Sequence, residues 1–126
     1  MFIFDESCEL ETENISELLK FLLRKHEGDM NEFWISEKKE TFPCLVVNTA
    51  GNIATLTFFP MERHPGHQCY LEKNLNEPPV AFRFGGVESD CFPATGVVPL
   101  SVAALAVHEF IQTMGRPVVI SNWLEL

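Results

Sequence analysis

Two histidines and a cysteine stand close together in His64-Pro65-Gly66-His67-Gln68-Cys69. Imidazoles and thiolates are zinc ligands, and three protein ligands would leave a fourth position for a metal-activated water. The spacing is not that of a zinc finger, however, and no second Cys or His pair completes it. Pro65-Gly66 gives the segment turn character, with its flanking histidines in solvent. The expectation is therefore no bound metal at His64, His67 and Cys69, and no cofactor.

Other pairings are weaker. Cys91 and His108 offer a thiol and an imidazole, but no glycine-rich oxyanion turn accompanies Cys91, which reads instead as core beside Phe92-Pro93. Glu88 and Asp90 are paired carboxylates of the kind general acid–base chemistry uses, without neighbours that suggest a substrate pocket. No dinucleotide-binding, phosphate-loop, zinc-protease or nucleophile-elbow motif occurs. The chain reads as a binding protein rather than an enzyme. Glu88, Ser89 and Asp90, in a glycine-led loop, are the first candidates for contact with a partner. Trp34, Tyr70, Phe92 and Trp123 are possible aromatic anchors, a role that competes with plain core packing.

The 126 residues suit one domain spanning 1–126 with a core of its own. Eighteen acids against nine bases leave a net charge of −9. Phosphate backbones and anionic membranes both attract Lys and Arg, so this balance disfavours nucleic acid and membrane surfaces as partners. Asp5, Glu6, Glu9, Glu11, Glu13 and Glu17 crowd the N-terminus with no base among them. Such a run is either a solvated face or a lure for a basic partner. Met-Phe-Ile-Phe-Asp-Glu-Ser has no basic region, so a signal peptide is not expected. The four cysteines then read as free, mostly buried thiols of a cytoplasmic protein.

The elements that must position these residues follow from periodicity. Ile15, Leu18, Leu19, Leu22 and Leu23 make one apolar stripe of a helix over about 15–26, opened by Asn14 with Glu17 and closed by Arg24, Lys25 and His26 before Gly28. Strands are expected from Phe33, over Cys44–Val47 and Ile53–Phe59 as a hairpin, at Cys69–Glu72 and at Val80–Phe84. Gly85 to Pro93 reads as the least structured stretch, and Val97-Val98 as a brief pairing. Ser101 should cap a second helix carrying Ala103, Val107, Phe110, Ile111 and Met114 on one face, stopped by Gly115 and Pro117. Val118–Ile120 should make the last strand. The fold class is α+β: a single antiparallel twisted sheet of about five to six strands with two main helices packed on it.

Strand Val80–Phe84 with Gly85-Gly86, Val97-Val98-Pro99 entering a helix, and Phe110-Ile111-Gln112-Thr113-Met114-Gly115-Arg116-Pro117 leading to Trp123-Leu124-Glu125-Leu126 form a further pattern. It resembles the first of the numbered immunity-protein families of bacterial polymorphic toxin systems. The acidic N-terminus and leucine-rich helix are similar to immunity proteins of DNA cytosine deaminases. The resemblance implies an antitoxin, a partner protein that binds a cognate secreted toxin domain one-to-one in the cytoplasm and occludes its active site or substrate groove. It also implies fold-defining roles for Trp123, in the sheet–helix core, and Arg116, bonded to nearby carbonyls. It does not assign the contact residues. Those are expected at Glu88, Ser89 and Asp90, then Glu62 and Glu72. Two rivals stand beside it: a dimeric secretion chaperone that holds an effector, and a small metal-dependent enzyme.

Overall fold

The computed structural model describes residues 1–5, 8–23 and 30–126. Strands β1 (Phe2–Phe4) and β2 (Glu9–Glu11) precede helix α1 (Ile15–Leu23). Long strands β3 (Met30–Ser36), β4 (Cys44–Ala50) and β5 (Ile53–Phe59) follow, then short β6 (His67–Cys69). A hairpin of β7 (Val80–Phe84) and β8 (Val87–Phe92) leads through β9 (Val98–Pro99) into helix α2 (Leu100–Thr113), and β10 (Trp123–Glu125) ends the chain. The main sheet runs β10-β6-β5-β4-β3-β1-β2, with β9 paired to β5 beside β6, and all its pairings are antiparallel. The α+β class is as expected. The sheet is wider, at eight strands, and β7 and β8 form a second sheet of two strands.

Alternation divides the main sheet into two faces. Ile3, Phe33, Ile35, Leu45, Val47, Leu56 and Phe58 point one way and are buried against Leu18 and Leu22 of α1 and Ala103, Ala106, Val107 and Phe110 of α2. Burying a Leu or Phe side chain contributes about 1.5–3 kcal/mol, so this shared layer supplies most of the cohesion. The other face meets the β7–β8 hairpin, whose Phe82, Phe84 and Phe92 rings cluster within 5.3–6.2 Å of one another. Three layers result: helices, sheet, hairpin.

Local chemistry sets the ends of the helices. Asn14 accepts the Glu17 N–H at 3.3 Å, the expected cap, while the Glu17 carboxylate accepts the Thr12 hydroxyl at 2.9 Å. The closing residues Arg24, Lys25, His26 and Gly28 lie outside the described residues, as does Glu6. Helix α2 starts two residues earlier than expected. Pro99 occupies the cap position, without a side-chain bond from Ser101, and the Leu100 N–H is bonded at 2.8 Å to the Asn52 carbonyl. Met114, not Gly115, adopts the left-handed conformation that ends it, with φ of 55°.

Three expected elements change place. The strand expected over Cys69–Glu72 runs instead from His67 to Cys69, and Glu72 opens a 3-10 turn. Gly85 to Pro93 is not the least structured stretch: Gly85-Gly86 turn the chain and Val87–Phe92 is a strand. Val118–Ile120 is not a strand, because the Val118 and Val119 N–H groups are bonded to the Glu109 carboxylate, and the strand begins at Trp123.

Candidate functional site

The β5–β6 connection brings His64 and His67 together, with ring centroids 5.0 Å apart at 70°. Pairing of β10 with β6 sets Glu125 opposite His67. Its carboxylate lies 3.1 Å from His64 Nε2 and 3.9 Å from His67 Nε2. The expected third ligand is elsewhere. Cys69 Sγ is buried, donating to the Gly96 carbonyl at 3.2 Å and accepting the Leu56 N–H at 3.4 Å, and desolvation raises its pKa. A ligand set of His64, His67 and Cys69 is therefore not formed; the cluster is His64, His67 and Glu125, whose donor atoms lie within 4.8 Å of one another.

The hydrogen bonds of that cluster argue against a metal. The Gly66 N–H donates to His64 Nδ1 at 2.9 Å, which assigns the ring proton to Nε2 and points it at Glu125. A metal on Nε2 would require the proton on Nδ1, facing another donor. Gly66 is held in place for a steric reason. At φ of +97° it lies so close to the Phe59 ring that a Cβ would sit 2.9 Å from it. The cluster thus works as a polar latch that ties the C-terminal strand to the β5–β6 connection. His67 Nδ1 is buried with no hydrogen-bond partner among the described residues.

The expected contact residues occupy three places. Glu88, Ser89 and Asp90 lie on β8, on the outer hairpin and not in a loop, with Glu88 and Asp90 exposed. Glu88 stands in register with Arg83 across the hairpin. Cys91, expected in the core, is exposed, as is Cys8; Cys44 and Cys69 are buried, and none of the four is in a disulfide. Glu62 is exposed between β5 and β6, and Glu72 is exposed in a single 3-10 turn. No hydrogen bond or ion pair joins these five residues to one another among the described residues. Trp123 packs on the core as expected, its indole N–H shared between the Pro117 and Ile120 carbonyls at 3.1 Å each. Arg116 is exposed and bonds no carbonyl among the described residues.

A further surface escaped the sequence reading. On the face away from the helices, Phe4, Trp34 and Phe59 stack in a row, with centroids 6.2 and 5.9 Å apart and planes within 11° of parallel. Beside them opens a trough of about 590 Å³, floored by Ser36 and Cys44, walled by Phe4, Trp34 and Phe42, and rimmed by Glu40 and Glu62. The Phe33-Trp34-Ile35 alternation already turned Trp34 away from the helix face; nothing local placed Phe4 and Phe42 beside it.

Residues 11–123 match the family model of immunity protein Imm1. No curated protein matches the chain.

Proposed function

This chain belongs to the Imm1 immunity-protein family, and from that premise we propose that it binds a cognate toxin domain one-to-one in the cytoplasm and occludes its active site or nucleic-acid groove. An immunity protein acts on a toxin by binding, and needs no chemistry of its own. The observation that carries the reading is the family match across residues 11–123, joined to a net charge of −9. The toxin class we infer is a DNA cytosine deaminase. Such an enzyme grips phosphates with a basic surface, and an acidic inhibitor is the complementary shape of charge.

Protection requires that almost no toxin stay free, so binding is nanomolar or tighter, about −12 kcal/mol. Exposed Glu88 and Asp90 on the hairpin, with Ser89 between them, serve to steer the encounter, and exposed Glu62 and Glu72 are further contacts in this reading. The test is to co-express the protein with the toxin domain encoded beside it, count survivors, and measure uracil formation in DNA. Survival together with suppressed deamination supports the whole reading. Survival with no deaminase activity in the free toxin replaces the toxin class. Death despite soluble immunity protein overturns the pairing.

A further inference from the structure

The aromatic row does not end at Phe4. Phe2 follows it at 5.8 Å, and over Phe2 stands the Lys39 ammonium, 6.0 Å from the ring centroid and 3.3 Å from the Glu9 carboxylate. At this end of the row, then, a cation of the chain itself sits between a ring and a carboxylate. Cations are drawn to aromatic faces by the ring quadrupole, most strongly to Trp and when shielded from water.

The trough repeats that arrangement without the cation. Phe42 supplies an exposed ring, and Trp34, stacked between Phe4 and Phe59, lines the trough with its edge. Glu40 and Glu62 supply carboxylates, neither of which has an ion pair or hydrogen bond among the described residues. Its volume of about 590 Å³ exceeds what one side chain fills, so a loop that presents the cation also fits. Phe42 is 40 % exposed, an apolar wall left in solvent beside two acids. Burying such a wall favours association, and the acids select a partner of positive charge.

We propose that this trough is the anchoring surface for the toxin, and that it takes an Arg or Lys side chain projecting from a loop of the folded toxin domain. The proposal rests on the immunity reading and adds the place of contact. It separates two roles. Hairpin acids steer from a distance and act on association; the trough desolvates its guest and acts on dissociation.

The experiment measures binding kinetics between the full chain and the toxin domain encoded beside it. Phe42→Ala and the double variant Glu40→Lys with Glu62→Lys alter exposed residues, and thermal melts confirm that each folds. Each should speed dissociation by about tenfold or more while changing association less, the signature of a lost anchor. Glu88→Lys with Asp90→Lys should instead slow association and leave dissociation near wild type. Tight wild-type binding with wild-type dissociation in both trough variants overturns the trough alone. Absence of wild-type binding overturns the immunity pairing and the trough with it. A wild-type dimer that Phe42→Ala converts to monomer would give the trough to a second copy of this chain, and so also overturns the proposal.

Discussion

Glu32 and Gly85 lie 53 residues apart, yet the Glu32 carboxylate accepts the Gly85 N–H through both oxygens, at 3.2 and 3.3 Å. The same carboxylate accepts the Asn48 amide at 2.9 Å and the Trp34 indole N–H at 3.2 Å. One acid on β3 therefore fixes the tip of the outer hairpin to the sheet and sets the tilt of the indole that walls the trough. Hydrogen bonds to a charged group contribute about 1.5–3 kcal/mol, and two of the partners left behind, the Trp34 indole and the Asn48 amide, are part-buried donors. Glu32→Ala should cost about 2–3 kcal/mol in urea unfolding. Amide exchange should quicken at Gly85 while the β4–β5 amides stay protected; unchanged exchange at Gly85 would show the hairpin is held by its phenylalanines alone.

Trp123 combines packing on the core with two carbonyl contacts through its indole N–H. Truncation to Ala should cost about 3–5 kcal/mol, lowering the melting temperature by about 10 °C or more. Trp123→Phe retains most of the packing and leaves the Pro117 and Ile120 carbonyls unbonded, a loss of about 1 kcal/mol. A Trp123→Ala protein that melts like wild type but no longer protects against the toxin would move this residue from the core to the interface.

At His64, the orientation of Gly66 decides the metal question. Since the Gly66 N–H holds Nδ1 as an acceptor, zinc at Nε2 would oppose two donors. Protein purified without chelator or affinity tag should carry no stoichiometric zinc by elemental analysis, and added zinc should not raise its melting temperature. One zinc per chain, lost in a Glu125→Ala variant, would overturn this.

Where an apolar or alternating run is bounded by turn residues, the pattern matches the fold well. Val80–Phe84 was placed to the residue, and the Cys44–Phe59 hairpin only gained Asn48 to Ala50 on its first arm. Strand Val87–Phe92 was missed because an outer hairpin strand keeps Glu88 and Asp90 in water and needs no apolar alternation. Three-residue strands such as Phe2–Phe4 are too short to show a period. The site was less legible than the fold. Glu125 reaches His64 only through β10–β6 pairing, and the trough gathers Phe4, Trp34, Phe42 and Glu62 from four separate segments. Local spacing carries no trace of either.

Cys44 floors that trough, 4 % exposed, and burial pushes its thiol from 9.0 up to about 12. The sign of the resulting pH dependence follows. In the unfolded chain the thiol loses its proton near its ordinary value of 9.0, whereas in the folded chain it keeps the proton to about 12. Between those values the unfolded state binds fewer protons, so stability falls as pH rises, by up to about 1.4 kcal/mol per pH unit from this group. Below the lower value its contribution is fully present. Cys44→Ala removes the titrating group and leaves a small void, so at pH 8 the variant should be the less stable. Urea unfolding at increasing pH should then close that gap, because only the wild type loses the thiol's contribution. A gap that stays constant from pH 8 to about 10.5 would mean that the trough floor admits water freely enough for the thiolate to form.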